Sequence, residues 1–245
     1  MDTIKKVAEI IKEKKNVVAF TGAGISVESG IPTFRGAQGL WERYDPDEYA
    51  HISSFNRNPE KVWMMLREMA QVIFEAKPSA AHEALSELEK MGYLRAVITQ
   101  NVDGLHHLAG NKNVIEYHGN HRWLVCPLCR GKTPFTKDVL SIFPYPRCET
   151  CQRALKPDVV FFGENIPIEA MIRANEEAKN CNVMFIIGTS GVVYPAAEIP
   201  YISKSHGAII VEFNVERTPF TNSITDYFFA GSASSFLPEI VKMLR

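Results

Sequence analysis

The chain has 245 residues, of which 46% are hydrophobic, and its 27 basic and 28 acidic residues leave a formal net charge of −1. This length suffices for one full-sized domain with a small insertion, and because no apolar run reaches membrane-spanning length we expect a cytoplasmic protein with no membrane partner. The charge leaves no surplus of cations for phosphates, which argues against direct nucleic-acid binding.

The chain opens with an amphipathic helical pattern over residues 1–15. Short, nearly continuous apolar runs follow, which suit a parallel sheet that is buried on both faces. These strand candidates are residues 17–20, 96–99, 159–162, 183–187 and 209–213. Helical patterns lie between them, at residues 81–91 and 169–179. The alternation predicts a doubly wound α/β fold.

Two segments interrupt this alternation. Residues 36–78 are aromatic and loop-rich, with a helical pattern over residues 62–74. Residues 122–156 carry four of the five cysteines and have little sheet-like patterning. We expect both segments to be insertions that together form a smaller lobe. The larger domain would then comprise residues 1–35, 79–121 and 157–245.

The cysteines form two C-x2-C pairs, Cys126-Pro-Leu-Cys129 and Cys148-Glu-Thr-Cys151, with 18 residues between them. This spacing predicts a four-cysteine zinc site. Four thiolates leave no open position for water, so the ion would be structural and not catalytic. The alternatives are redox cysteines, buried thiols, or a zinc ribbon that binds nucleic acid or protein. The basic residues of this segment are scattered, which argues against the nucleic-acid ribbon. Cys181 is expected to be a small core residue.

A glycine-rich turn, Thr21-Gly22-Ala23-Gly24-Ile25-Ser26, follows the first strand. Glycines at a strand-to-helix turn let main-chain N–H groups approach a pyrophosphate. Val27 stands where the third glycine of G-x-G-x-x-G belongs, so a plain tight turn is an alternative. The second main strand ends in Thr99-Gln-Asn-Val-Asp103 and not in a ribose-binding acid, which makes a dehydrogenase the least favoured function.

Motifs over almost the whole chain resemble one family in type and order. They are Gly22-Ala-Gly-Ile-Ser26, Gly30-Ile-Pro-Thr-Phe-Arg-Gly36, Thr99-Gln-Asn-Val-Asp103, His118-Gly119, the two C-x2-C pairs, Phe161-Phe-Gly-Glu164, Gly188-Thr-Ser190 and Val192-Val-Tyr-Pro195. Any one of them could arise by chance. Together they resemble the sirtuins, which are NAD-dependent protein-lysine deacylases.

The resemblance implies a Rossmann-like domain with a doubly wound parallel sheet, and a small lobe made of a zinc-binding module (residues 122–156) and a helical module (residues 36–78). NAD, a consumed co-substrate, and an acyl-lysine would meet in the cleft between them. The implied reaction gives free lysine, nicotinamide and O-acyl-ADP-ribose, and the protein substrate would bind as an extended strand. Transfer of ADP-ribose to a protein is the alternative activity.

The resemblance also assigns roles to individual residues. His118 would be the general base and Asn101 would position a ribose or a water, so both are expected to be catalytic. The expected NAD-binding residues are Gly22, Ala23, Gly24, Ile31, Phe34, Arg35, Gln100, Asn101, Asp103, Gly188, Thr189, Ser190, Asn214 and Ala233. The expected substrate-binding residues are Val160, Phe162, Gly163, Val193 and Tyr194. Cys126, Cys129, Cys148 and Cys151 would bind a single zinc ion.

Two departures from the family pattern bear on specificity. Leu66 and Met69 stand where desuccinylating members carry tyrosine and arginine, so we expect deacetylation, with longer apolar acyl groups possible, and no desuccinylation. Arg67 lies one position away and is the one nearby cation. Near the C-terminus, residues 231–235 depart from the usual Gly-x-Ala-Gly-Glu, which affects the expected adenine contacts.

Overall fold

The computed structural model describes residues 2–35 and 39–245. Within these ranges the strands are β1 (Val17–Thr21), β2 (Leu94–Thr99), β3 (Val114–Glu116), β4 (Gly119–Val125), β5 (Lys132–Pro134), β6 (Lys156–Val159), β7 (Val183–Ile187), β8 (Ile209–Asn214) and β9 (Tyr227–Ala230). The α-helices are α1 (Asp2–Lys14), α2 (Leu40–Arg43), α3 (Pro46–Tyr49), α4 (Ile52–Arg57), α5 (Pro59–Glu75), α6 (Ala80–Lys90), α7 (Leu105–Ala109), α8 (Ile168–Asn180), α9 (Ile199–Ser205) and α10 (Ala233–Leu244). Short 3₁₀ helices span Ala23–Ser29, Lys137–Ser141 and Ala196–Glu198. None of these helices has the length and apolar character that crossing a bilayer requires.

The main sheet has six strands in the order β3-β2-β1-β7-β8-β9. Every neighbouring pair in it is parallel. The chain builds outward from β1 through β2 to β3, returns to the other side of β1 at β7, and builds outward again. This reversal of direction at β1 is the defining feature of a doubly wound sheet, and it confirms the predicted fold class.

The central strand β1 is buried at every position, which explains its continuous apolar sequence. Val17 and Ala19 belong to a core that includes residues of α1, α6 and α10. Val18 and Phe20 point the other way, into a core that includes residues of α8 and α9. Each fully buried valine or phenylalanine side chain contributes about 1.5–3 kcal/mol to the stability of the fold relative to an exposed side chain. The strand therefore holds the two helical layers on opposite faces of the sheet.

The second unit of the structure combines α2–α5 with an antiparallel sheet in the order β5-β4-β6. The two predicted insertions share one core here. Trp63 of α5 is fully buried, donates from Nε1 to the Leu155 carbonyl at 2.9 Å, and packs edge-on against Phe135 at 5.8 Å. The residue boundaries of the two units stay a prediction, and residues 36–38, including Gly36 of the second motif, lie outside the described residues.

One predicted strand is misplaced. Residues 159–162 were expected in the parallel sheet, but β6 belongs to the antiparallel sheet and ends at Val159. The chain then turns back, because the buried Lys156 ammonium pairs with Glu164 at 3.0 Å and Gly163 has a left-handed φ of 82°. The run is apolar because Phe161 packs in the core of the second unit, not because it lies inside a sheet.

The cysteine segment contains more sheet than its sequence pattern indicated. Strands β4 and β5 pair across Trp123–Pro134, Leu124–Thr133 and Val125–Lys132. Strand β5 is exposed at every position and β4 is buried only at its last two residues, so neither shows the apolar alternation that marks a half-buried strand. The sheet between residues 122 and 156 therefore could not be read from the sequence pattern.

Candidate active site and metal centre

A cavity of about 1130 Å³ opens at the carboxyl ends of the main strands. Its lining includes the residues at which four strands end or give way to loops: Gly22 after β1, Gln100 after β2, Gly188 after β7 and Asn214 at the end of β8. Residues of helix α5 and of the segment after β6 also line the cavity. Because the direction of winding reverses at β1, this is the crevice in which doubly wound sheets bind ligands.

The glycines of the turn after β1 are required by the packing of two loops. Gly24 N donates to the Gly188 carbonyl at 2.8 Å. A Cβ on Gly24 would lie 2.6 Å from the Gly188 Cα, and a Cβ on Gly22 would lie 2.8 Å from the Gly188 oxygen. The loops after β1 and β7 therefore approach so closely that only glycine fits. Main-chain groups of both loops reach the cavity as a result.

The polar residues after β2 form a buried hydrogen-bond chain. Asn101 Nδ2 donates to the Gly22 carbonyl at 3.1 Å and to Ser26 Oγ at 3.2 Å. Ser26 Oγ donates to Asp103 Oδ2 at 2.7 Å, and the other carboxylate oxygen of Asp103 accepts from Leu105 N at 2.9 Å. Burial raises the pKa of Asp103, and these two hydrogen bonds lower it in part. The chain fixes Asn101 and Asp103 relative to the glycine turn.

His118 lines the cavity in a defined orientation. Its Nδ1 lies 3.1 Å from the Gln100 carbonyl oxygen. A carbonyl only accepts, so Nδ1 carries the hydrogen and Nε2 carries a lone pair in the neutral ring. Burial lowers the pKa of His118, and the bond to Gln100 raises it in part. The ring is therefore neutral at physiological pH and able to accept a proton.

A lowered pKa does not by itself distinguish His118. Burial also lowers the pKa of His82, to about 4, and that of His106. These two buried rings contact each other in a tilted arrangement with centroids 4.7 Å apart, and neither lines the cavity described above. The position of His118 in the cleft, more than its titration, makes it a candidate base.

Polar side chains connect the loops at the carboxyl ends of the main strands. Gln100 Nε2 donates to Thr189 Oγ1 at 2.9 Å, and Asn214 Nδ2 donates to the Thr189 carbonyl at 2.8 Å. Ser232, which precedes α10, donates to Glu28 after the glycine turn. The ends of β2, β7 and β8 are thus tied together along one edge, next to Ala233.

Two segments expected to bind the substrate both line the cavity. They are Val160, Phe162 and Gly163, and Val193 and Tyr194. Part of the first segment is already paired: Val160 N donates to the His118 carbonyl, and Phe162 N and O bond the main chain on either side of His51. Any added strand must therefore use the remaining main-chain groups.

The cavity brings most of the predicted site residues together. Those that line it are Gly22, Ala23, Gly24, Phe34, Arg35, Gln100, Asn101, His118, Val160, Phe162, Gly163, Gly188, Thr189, Ser190, Val193, Tyr194, Asn214 and Ala233. Of the residues predicted to bind NAD or substrate, the other two, Ile31 and Asp103, are buried next to the cavity and outside its lining. Asp103 is connected to the lining through Ser26 and Asn101.

Arg67 of α5 does not face the cavity. Its Nε donates to the Leu140 carbonyl at 2.9 Å, and its NH2 group donates to the Ile142 and Pro144 carbonyls at 2.9 and 3.1 Å. The guanidinium also lies 4.1 Å from the centre of the Phe143 ring. This side chain therefore fastens α5 to the cysteine segment and leaves no cation on the face that carries Leu66 and Met69.

Sequence reasoning missed several residues that line the cavity. One group directly follows β8 and comprises Val215, Glu216 and Arg217. The other comprises His121 of β4 and Phe135, which directly follows β5. The first group could have been found, because ligands bind at the carboxyl ends of parallel strands. His121 and Phe135 carried no such signal, since only the tertiary packing of β4 and β5 brings them to the cleft.

The four cysteine sulfurs lie within 4.8 Å of one another. Cys126 Sγ is 3.3 Å from Cys151 Sγ, and Cys129 Sγ is 3.5 Å from Cys148 Sγ. A tetrahedral zinc ion with bonds of about 2.3 Å requires sulfurs about 3.8 Å apart. All four thiols are free of disulfide bonds. The donor set and its spacing therefore fit a closed zinc site.

The two halves of this metal centre repeat one turn. Arg130 N donates to the Cys126 carbonyl at 3.0 Å, and Gln152 N donates to the Cys148 carbonyl at 2.9 Å. Arg130 and Gln152 both have left-handed backbones, with φ of 61° and 57°. Strand β4, seven residues long, separates the centre from His118, which at about 3.3 Å per residue is roughly 20 Å. The metal centre is thus remote from the candidate base.

The comparisons with known proteins agree with this geometry. The Sir2 family model matches residues 22–195. An NAD-dependent protein deacylase of Pyrococcus abyssi is 47% identical over 247 residues, covering 99% of this chain and 98% of that protein.

Solved structures match equally well. A Sir2 homologue in complex with NAD has a TM-score of 0.92 and 44% identity, covering 98% of this chain and 93% of the other. A Sir2 variant with a deacetylated p53 peptide and 3′-O-acetyl ADP-ribose has a TM-score of 0.92 and 36% identity, covering 98% and 97%. Family match, identity and coverage together show that this chain belongs to the Sir2 family, the sirtuins.

Proposed function

We propose that this protein is an NAD-dependent protein-lysine deacylase, which transfers the acyl group of an acyl-lysine to ADP-ribose. One observation supports this most: the His118 ring lines the same cavity as the glycine turn after β1 and the polar segment after β2. A neutral base and a nucleotide-binding edge therefore share one cleft. Relatives at 44–47% identity are named NAD-dependent protein deacylases or deacetylases.

The described residues fit NAD along the carboxyl edge of the sheet. Gly22, Gly24 and Gly188 bring main-chain groups to the cavity, where N–H groups suit a pyrophosphate. Gln100 and Asn214 present amides for ribose hydroxyls, with Ala233 on the adenosine side. When bound, NAD supplies the ADP-ribose that accepts the acyl group and releases nicotinamide.

His118 acts as the general base. Its Nδ1–H is held by the Gln100 carbonyl, so Nε2 is the atom that takes a proton from a hydroxyl in the cleft. The Asn101 side chain, which donates hydrogen bonds to the Gly22 carbonyl and to Ser26 Oγ, positions a ribose hydroxyl or a water next to His118. Phe34, which packs against Trp41 at 5.2 Å, closes the cavity on another side and helps to exclude water.

Asp103 holds the nicotinamide end through its hydrogen bonds to Ser26 and Leu105. Asp103→Asn is expected to lower nicotinamide exchange about tenfold to a hundredfold, because a hydrogen bond to a charged group contributes about 1.5–3 kcal/mol. Exchange of labelled nicotinamide into NAD is the measurement. Asp226→Asn is the matched control, since Asp226 also accepts a main-chain N–H, from Ile210 at 2.8 Å, but lies outside the cavity. Normal exchange in Asp103→Asn would remove Asp103 from the site.

The acyl group is neutral. Leu66 and Met69 line the cavity, whereas Arg67 is bound to three carbonyls of the cysteine segment. An acidic acyl tail would meet no cation on this face of α5. We expect kcat/KM on acetyl-lysine peptide to exceed that on succinyl-lysine peptide by at least about tenfold. Comparable kcat/KM values on the two peptides would contradict this expectation. Met69→Arg should reduce the ratio of the two values, because it places a cation on this face of α5.

The protein substrate binds as an extended strand between residues 160–163 and 193–194. Both segments line the cavity, and main-chain pairing tolerates many sequences. We further propose that residues 1–35, 79–121 and 157–245 form the NAD-binding domain, and that residues 36–78 and 122–156 form the small lobe, held by one structural zinc. A cytoplasmic location remains a prediction from the sequence.

The direct test is incubation of an acetyl-lysine peptide with the protein, with and without NAD, followed by mass spectrometry of the peptide. Loss of the acetyl mass only when NAD is present supports the proposed function. A peptide that keeps its acetyl group and gains an ADP-ribose would favour the alternative transferase activity. Unchanged peptide under both conditions would contradict both activities.

A further inference from the structure

The side of the cleft nearest α5 is apolar except at one residue. We define the acyl wall as eight cavity-lining residues: Met65, Leu66, Met69, Ala70, Ile73, Val102, His121 and Phe135. Seven of these side chains are hydrocarbon or thioether groups. His121 is the only one that can hydrogen bond strongly, so it alone can give this wall a polar preference.

The His121 ring is fixed by neighbours that belong to the acyl wall or adjoin it. Its main-chain N and its Nδ1 both approach the Val102 carbonyl, at 3.0 and 2.8 Å. The ring packs edge-on against Phe74, the residue after Ile73, with centroids 5.6 Å apart. A Cβ on Gly104 would lie 3.4 Å from Cε1, an ordinary van der Waals distance, so the main chain at Gly104 also packs close to the imidazole. The ring therefore has a single supported orientation.

The hydrogen-bond pattern also determines the tautomer. The Val102 carbonyl only accepts, so Nδ1 carries the hydrogen and Nε2 of the neutral ring is an acceptor. Burial lowers the pKa of His121, with the bond to Val102 raising it in part, which favours the neutral form. Among the described residues Nε2 has no hydrogen-bond partner. It is thus an acceptor that the ring can offer to a ligand in the cavity.

A hydrogen-bond acceptor in an apolar wall distinguishes acyl groups by whether they can donate a hydrogen bond. A saturated acyl chain has no donor for it, and a carboxylate tail has no hydrogen to give. An ammonium group could donate, but the acyl wall contains no acidic residue to balance its charge. A hydroxyl on an otherwise apolar chain satisfies both requirements, because it donates to Nε2 while the carbons contact the methionines and leucine.

We propose that His121 makes hydroxyacyl-lysine a preferred substrate class of this protein, by accepting a hydrogen bond from a hydroxyl of the acyl chain. The inference rests on the proposed deacylase function and deepens it. His121 acts here as a specificity residue, separate from His118, which takes the proton in the reaction. A water molecule at Nε2 is the competing occupant, and it would give no preference among acyl groups.

The test uses one peptide carrying hexanoyl-lysine or its 3-, 4-, 5- or 6-hydroxy derivative. For each enzyme the measured quantity is the ratio of kcat/KM on the hydroxylated peptide to kcat/KM on the hexanoyl peptide. At one hydroxyl position this ratio is expected to be about tenfold higher in the wild type than in His121→Phe. A ratio within one enzyme cancels any general loss of activity caused by the substitution.

His206→Phe is the matched control, because the exposed His206 also places Nδ1 on a main-chain carbonyl, that of Ile202 at 2.9 Å, far from the cavity lining. Its ratios should equal those of the wild type. If His121→Phe does not fold, His121→Gln, which keeps an acceptor, should retain part of the preference, whereas His121→Leu should lose it.

Equal ratios in the wild type and the His121 variants at every hydroxyl position would overturn this inference. Turnover of acetyl-lysine peptide by the wild type is measured in parallel. Its absence would contradict the deacylase function itself, whereas equal hydroxyl ratios with normal acetyl turnover would contradict only the role of His121.

Discussion

His118→Ala is expected to lower kcat/KM for acetyl-lysine peptide by about 10²- to 10⁴-fold, the usual contribution of a positioned general base. The physical reason is the orientation of the ring: the Gln100 carbonyl holds Nδ1–H, and Nε2 is the basic atom available to the cleft. Alanine removes this atom and leaves the nucleotide-binding edge intact. NAD affinity, measured by calorimetry, should therefore change much less than turnover.

The control variant is His107→Ala. His107 lies on α7 and its Nε2 is 3.5 Å from Glu116, outside the cavity lining, so its loss should leave turnover near normal. Near-normal turnover in His118→Ala, measured on the same peptide, would show that another group is the base.

Because His118 must be neutral to act as a base, kcat/KM is expected to depend on pH. The base works when neutral, so kcat/KM rises as pH rises through the pKa of the free enzyme. Burial lowers that pKa from the ordinary histidine value of about 6.5. The acid limb of the profile should therefore have its midpoint below pH 6.5.

Loss of the metal centre is expected to have the second large effect. Cys126→Ala should release one zinc ion per chain, lower the thermal unfolding temperature by about 10 °C or more, and abolish turnover. Cys126 directly follows β4, and β4 pairs with β6, whose end leads into the substrate segment at Val160. Without the ion, the antiparallel sheet loses the constraint at one end, and the substrate wall loses its support.

Cys181→Ala is the matched control for this variant. Cys181 is buried in the main core and donates to the Ala178 carbonyl, away from the four clustered thiols. Its replacement should keep the zinc content, measured by atomic absorption, and most of the activity. A Cys126→Ala protein that loses its zinc yet keeps its unfolding temperature and its turnover would show that the metal does not hold the small lobe.

The sequence was sufficient for the centre of the sheet but not for its edges. Strands β1 and β7 are buried at every position, and their sequences are accordingly apolar from Val17 to Phe20 and from Val183 to Ile187. The edge strands β3 and β9 have only three and four residues and are partly exposed, and neither was predicted, although Tyr227–Ala230 is an apolar run. Residues 159–162 were wrongly predicted as a strand of the parallel sheet, because an apolar segment can also line a cleft or anchor a loop.

The site residues that directly follow a predicted strand could be identified from the sequence. Gln100, Asn101 and Asp103 follow a strand that the sequence reveals, so the rule for parallel sheets places them at the crevice. His121 and Arg67 depend on contacts between distant segments: Arg67 bonds carbonyls more than 70 residues away. Sequence spacing could not show that one side chain faces the cleft and the other leaves it.

The central claim is that the acyl group leaves lysine for ADP-ribose in the cleft of His118. The most direct measurement follows all products of one reaction by mass spectrometry, with acetyl-lysine peptide, NAD and the wild-type protein. Equal amounts of deacetylated peptide, nicotinamide and O-acetyl-ADP-ribose are predicted, and no products without NAD. Deacetylated peptide accompanied by free acetate alone, with NAD unconsumed, would contradict the account.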